Sequence, residues 1–192
     1  VAEILVKNKK RIFIVDNLST GYRRLINKKA IFFKVNIHNK KKLRSIIVNN
    51  KIDSIIHLAA SLVIGTGEKY PKFYYKNNVL GTKNLISACL GTTVKNFIFS
   101  STAAVYKDNI NKVTEKSKIG PKSVYGKTKL KAEKLIIKYC KKNKINYGIL
   151  RYFNIVGSSP SGKIGLINKD DHLFKNFSIQ TFKKKPVFKI YG

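Results

Sequence analysis

The 192-residue sequence has no methionine, no tryptophan, two cysteines, four prolines and only nine acidic residues. Each shortage excludes something. Cys89 and Cys140 lie far apart on predicted helices without paired or metal-ligand spacing, so neither a disulfide scaffold nor a zinc site is expected; they fit buried thiols in a reducing cytoplasm. Carboxylates this few and dispersed suit neither a metal centre nor paired-acid glycosidase chemistry. The longest apolar stretch, Ser54 to Gly65, contains His57 and is too short to span a bilayer. No signal peptide is visible, and no membrane association is expected. With Val1 first and no methionine, the natural N-terminus is expected to lie upstream.

Arginine is scarce as well: five of the 40 basic residues. The net charge of +31 invites a nucleic-acid reading, but arginine is the usual tool for bidentate phosphate and guanine recognition. The lysines are scattered over nearly every predicted surface, and the runs Lys40 to Lys42 and Lys183 to Lys185 read as solvated helix faces. No nucleic-acid partner is therefore expected. Hydrophobic residues at 43% exclude intrinsic disorder and allow a sizeable core.

What is present is an alternation of short β-branched runs with amphipathic stretches, the pattern of a mostly parallel sheet covered by helices. Strands are predicted at Arg11 to Asp16, Ile31 to Val35, Ser54 to Leu58, Asn96 to Ser100 and Asn146 to Arg151, with another at Val187 to Tyr191. Helices are predicted at Lys40 to Asn50, Lys72 to Leu90 and Ser123 to Lys142, and Val1 to Lys7 reads as a helix tail. The fold class is a doubly wound α/β sheet. In a dinucleotide-binding unit the opening would be the second half of the first βαβ, with Asp16 at the strand end placed to bond a ribose 2′-OH. An Asp there is also common in loops, so Asp16 alone supports either reading. The first strand and its glycine-rich phosphate loop are expected upstream. After Arg151 the rhythm loosens around Gly157, Pro160, Gly162 and Gly165, which suggests a second, substrate-facing region.

Tyr125 and Lys129 stand four apart at the start of a strong helical pattern and so share one face. A nearby ammonium would favour the phenolate and bring a tyrosine towards use as a base at neutral pH. On a lysine-rich helix this spacing also arises by chance. Context adds to it: the strand NFIFSSTAAVY ends in Ser100, Ser101 and Thr102, and carboxyl ends of strands face the ligand crevice in such sheets. Thr102 could then reach the same substrate oxygen as Tyr125. His57 reads as structural, because nothing acidic is spaced to orient it.

The stretches IVDNLSTG, IDSIIHLAA, PKFYYKNNVLGT, VKNFIFSSTAAVY, YGKTKLKAE and LRYFNIVG followed by PSG resemble, in order, the UDP-glucose 4-epimerase family of the extended short-chain dehydrogenase/reductase superfamily. The resemblance implies a Rossmann-like NAD-binding domain over 1–153, lacking its first strand, and the start of a sugar-nucleotide region over 154–192. It implies that Asp16 and Asn17 hold the adenosine ribose, followed by Leu18, Ser19, Thr20 and Gly21. Asn36 and Ile37 stand near the adenine, Asn36 in place of the family's usual acid. Leu58, Ala59 and Ala60 form the strand end over which NAD passes, and Asn77 supports it. Thr102 bonds the reacting sugar hydroxyl, Tyr125 is the base, Lys129 bonds the nicotinamide ribose and lowers the tyrosine pKa, and Phe153 lines the nicotinamide. Asn154 and His172 touch the UDP-sugar. Lys107 and Lys175 replace a glycine and a proline usual in the family. The intact protein is expected to be a homodimer, with the helices Lys72 to Leu90 and Ser123 to Lys142 resembling the family's dimer-forming pair.

The implied reaction interconverts UDP-glucose and UDP-galactose through transient oxidation at sugar C4. Rival readings are a UDP-N-acetylglucosamine 4-epimerase, a 4,6-dehydratase, a basic non-catalytic nucleic-acid-binding protein, or an inactive remnant. A dehydratase would carry an Asp-Glu pair after Thr102, where this sequence has Ala103 and Ala104.

Overall fold

The computed structural model describes residues 1–108, 112–159, 161–162, 164–165, 173–183, 185 and 187. The chain divides into two compact units, Val1–Arg151 and Tyr152–Gly192.

In the first unit the apolar runs form strands β1 (Phe13–Asp16), β2 (Ile31–Lys34), β3 (Ser54–His57) and β4 (Asn96–Thr102), and β5 (Asn146–Tyr152) begins there. The helices are α1 (Ala2–Lys7), α2 (Lys40–Asn49), α3 (Ile64–Lys69), α4 (Pro71–Tyr74), α5 (Gly81–Cys89) and α6 (Val124–Lys142). β1 pairs parallel with β2 across a long loop holding a single 3-10 turn, Arg23–Leu25, and β3 pairs parallel with β4 across a helical crossover. The strands form two ladders, β1–β2 and β3–β4–β5, instead of one sheet. Among the described residues no strand bonds β1 to β3.

One core nevertheless serves both ladders. Leu43 and Ile47 of α2, Ile86 and Ala88 of α5, and Ala132, Ile136 and Cys140 of α6 close over Phe97 and Phe99 of β4. Val15 from β1 and Val35 beyond β2 pack against the same cluster. The alternate residues Ile56 and Ile98 are 39% and 37% exposed, so the helices α2, α5 and α6 cover one face of the larger ladder. Residue chemistry sets the helix starts: the Asn39 side chain accepts the Lys42 N–H at 3.0 Å, and Pro71 opens α4 where its missing N–H costs nothing.

Three departures from the sequence expectations stand out. The predicted helix Lys72 to Leu90 is α4, a wider π-type turn over Tyr75–Leu80, and α5 in succession. α3 lies partly within the predicted apolar run; the Tyr74 hydroxyl donates to the Val63 carbonyl at 2.6 Å, and its ring lies 3.1 Å from where a Cβ on Gly67 would be. In the second unit the region read as irregular holds α7 (Leu173–Thr181), steadied by an edge-on Phe174–Phe177 contact one turn apart. The predicted strand Val187 to Tyr191 falls, except for Val187, outside the described residues.

Candidate active site

The N-terminus of α6 sits against the end of β4. Ser123 caps it by accepting the Gly126 N–H at 3.0 Å, and Glu68 of α3 accepts the Val124 N–H at 2.7 Å. A Cβ on Gly126 would lie 2.4 Å from the Ala104 carbonyl oxygen, so only glycine allows this approach. The close contact brings Tyr125 to Thr102. The Thr102 hydroxyl accepts the Ala104 N–H at 3.2 Å and is near enough to the Tyr125 phenol to favour its charged form.

Lys129 follows one turn later and is 2% exposed. Its ammonium lies 4.5 Å above the Phe99 ring and 6.0 Å from the centre of the Tyr125 ring. Burial pushes it down to about 8, with the Glu133 carboxylate pulling the other way. The Tyr125 phenol departs from expectation. Burial raises it above its usual value, the Thr102 hydroxyl opposes that, and nearby Tyr74 adds to it. In the chain by itself desolvation outweighs any help from the ammonium.

The loop after β3 is tied to the same helix. The buried Asn78 accepts the Ser61 N–H at 2.8 Å and donates to the Ser61 carbonyl at 2.9 Å and the Thr128 hydroxyl at 3.1 Å. The Thr128 hydroxyl donates to the Tyr125 carbonyl at 2.8 Å, and the Asn77 amide to the Ser61 hydroxyl at 2.8 Å. Leu58 and Ala59 are thereby held exposed at the strand end and Ala60 half-buried. His57 beneath them is neutral: burial and then Lys129 push it down to about 3, and its Nε2 meets Thr82 Oγ1 at 2.8 Å. Thr82 already donates to the Asn78 carbonyl at 2.6 Å, so His57 carries its proton on Nε2. That is a structural role.

At the end of β1 the Asp16 carboxylate accepts the Leu18 N–H at 2.6 Å and Asn17 accepts the Ser19 N–H at 3.0 Å, with Leu18 at φ +59°. A Cβ on Gly21 would stand 3.6 Å from the Asp16 carboxylate, so the exposed loop including Thr20 curls over it. Asn36 accepts the His38 N–H at 2.9 Å, while Ile37 turns its side chain into the core and closes to 2.7 Å from a Cβ position on Gly81. Phe153 and Asn154 belong to the second unit and are exposed there, Phe153 by 72%. His172 lies outside the described residues. Among the described residues no group of three or more His, Cys, Asp or Glu side chains could hold a metal, and no helix is long and apolar enough to cross a membrane.

Sequence reasoning missed Asn78, Glu133 and Arg151, and placed Ser101 only in the hydroxyl run at the end of β4. Asn78 follows Asn77 directly, and only the burial of the π-type turn distinguishes the two. Ser101 and Arg151 meet at Glu133, a contact 32 and 18 residues apart in the chain that no local pattern announces.

Residues 1–181 match the model of the NAD dependent epimerase/dehydratase family. A UDP-glucose 4-epimerase of Lactobacillus helveticus is 35% identical over 98% of this chain and 58% of its own length. One of Caenorhabditis elegans is 40% identical over 88% of this chain and 50% of its own. The crystal structure of UDP-glucose 4-epimerase from Brucella ovis in complex with NAD superposes with a TM-score of 0.90 at 31% identity, covering 100% of this chain and 59% of that one. The chain thus spans a little over half the length of the relatives it matches.

Proposed function

The chain belongs to the NAD dependent epimerase/dehydratase family, and from that premise we propose that it serves an enzyme interconverting UDP-glucose and UDP-galactose, with NAD as a permanently held tool. The observation that carries the reading is the assembly of half-buried Thr102 and Tyr125 with buried Lys129 at the carboxyl end of β4.

The residues present suit the cofactor. Lys129 has a buried ammonium with no hydrogen bond to any described residue, so its donors are available to ribose hydroxyls. The Asp16 carboxylate is exposed at a strand end, as a ribose partner requires. Asp16, Asn17 and the loop Leu18, Ser19, Thr20 and Gly21 would hold the adenosine end, with Asn36 and the backbone of Ile37 near the adenine. Leu58, Ala59, Ala60 and Asn77 would line its path, and Phe153 the nicotinamide. When bound, NAD supplies the acceptor and donor for the hydride at sugar C4. Thr102 orients the C4 hydroxyl, Tyr125 takes its proton and later returns it, and Lys129 stabilises the phenolate by charge. Burial raises the Tyr125 phenol above its usual value, and the positive charge close by works against that. Asn154 and His172 would contact the UDP-sugar.

Ala103 and Ala104 form a tight turn against Tyr125's helix and offer no carboxylate, which disfavours elimination as in a 4,6-dehydratase. In the same reading the enzyme works in the cytoplasm without nucleic-acid partners. It is a homodimer through the helical stretch Lys72 to Leu90 and α6, beside which lies a hollow of about 300 Å³ lined by Pro71, Tyr75, Val124 and Thr128 with Lys72, Lys127 and Lys131. The test is a coupled assay on this chain joined to the remaining segments its relatives possess, without added NAD. Interconversion of the two sugars is expected. A 4-keto-6-deoxy product, or no reaction with either sugar, would sink the reading.

A further inference from the structure

α6 carries a third buried polar side chain that the reaction above does not use. Glu133 stands four residues after Lys129 and eight after Tyr125, on the same helix face, and is 1% exposed. One carboxylate oxygen accepts the Ser101 hydroxyl in a short bond and the Arg151 Nε–H at 3.1 Å. The other accepts the Arg151 Nη2–H at 2.7 Å. The guanidinium in turn lies 4.9 Å over the Tyr106 ring. A buried carboxylate is tolerated only when its lone pairs are matched, and donors from β4 and β5 match these.

The groups around Lys129 leave Glu133 a distinct task. His57 from β3 is neutral, Tyr125 and Tyr74 are phenols, and Phe99 offers only a ring face. Glu68 is engaged at the start of α6, and Arg151 is a second cation, paired with Glu133. Glu133 stands one helical turn after Lys129 on the same face and is buried like it, so its carboxylate charge favours the ammonium. We propose that Glu133 is a positioning residue whose carboxylate, locked by Ser101 and Arg151, keeps the buried Lys129 side chain in its ammonium form. The consequence for turnover rests on the proposed function; the charge relation does not.

A purely structural Glu133 would only fasten α6 to β4 and β5. Lysine side-chain NMR titration of the full chain separates the two, the Lys129 signal being identified by its absence from Lys129→Met. Glu133→Gln keeps the shape and removes the charge, and should lower the Lys129 midpoint by about one pH unit or more. An unchanged or raised midpoint overturns the proposal. Arg151→Gln removes the competing cation and should raise the midpoint. Both variants loosen the same tie, so packing damage moves the midpoint the same way in each, whereas charge moves it in opposite ways. If Glu133→Gln does not fold, Arg151→Gln decides, and a midpoint that stays or falls there overturns the proposal. No turnover is needed, so opposite shifts in a chain whose enzyme shows no epimerase activity would refute the function and leave this inference standing.

Discussion

Gly126→Ala places two physical effects in opposition. Gly126 lies in the first turn of α6, where alanine would by propensity alone gain up to about 1 kcal/mol. The added methyl, however, would lie 2.4 Å from the Ala104 carbonyl oxygen and 3.0 Å from the Pro121 side chain. An acceptable carbon–oxygen contact is about 3.3 Å, so the helix end must retreat by roughly 0.9 Å. The obstacle is backbone, which cannot swing aside as a flexible side chain can. Overpacking of this kind typically costs about 1–3 kcal/mol, which exceeds the propensity gain. A net loss of about 1–2 kcal/mol should lower Tm by roughly 2–8 °C for a chain of this size. The same retreat would draw Tyr125 from Thr102, and displacement near 1 Å can cost about 10²-fold in rate. Differential scanning calorimetry gives the first number and the coupled assay the second. A raised Tm with unchanged turnover would show that the α6–Ala104 contact is not tight and would refute the reasoning.

Lys129→Met should alter how stability varies with pH. The folded chain holds Lys129 at about 8 against an ordinary 10.5, so the unfolded chain binds the additional proton between those values. The cost of burying the charge, about 3 kcal/mol, is fully present below pH 8 and is relieved as pH rises towards 10.5. Urea midpoints should therefore favour the variant at pH 7 and converge with the parent above pH 10; a pH-independent difference would contradict this. Arg44→Ala removes donors to the Ala88 and Leu90 carbonyls, at 3.2 and 2.7 Å, which finish α5. It should cost about 1–2 kcal/mol by urea melts, and a loss within error of zero would show those carbonyls hydrated instead.

Much of this was legible in the sequence, and the parts that were not share a cause. Apolar, β-branched runs gave the strands within a few residues, although only one face of the larger ladder is covered by helices and Ile56 and Ile98 on the other are exposed. Tyr125 and Lys129 could be placed on one face from helical spacing alone, and Thr102 at a strand end from its run. Glu133 could not. Nothing in the helical spacing sets it apart, and only the arrival of Arg151 from β5 makes it a buried anchor. The direction of the Tyr125 shift was likewise hidden, since desolvation depends on what the rest of the chain stacks around the phenol. Ile37 shows the same limit: the sequence sets it beside the adenine, but its side chain packs against α5 at Gly81.

The central claim is that Tyr125, in its frame of Thr102 and Lys129, moves the proton of the sugar hydroxyl. Turnover and bound NAD measured together for Tyr125→Phe test it most directly, because phenylalanine keeps the ring packing and deletes only the hydroxyl. The account predicts a fall of about 10²–10⁴-fold in the interconversion rate with NAD content unchanged. A variant that turns over at the parent's rate would contradict it.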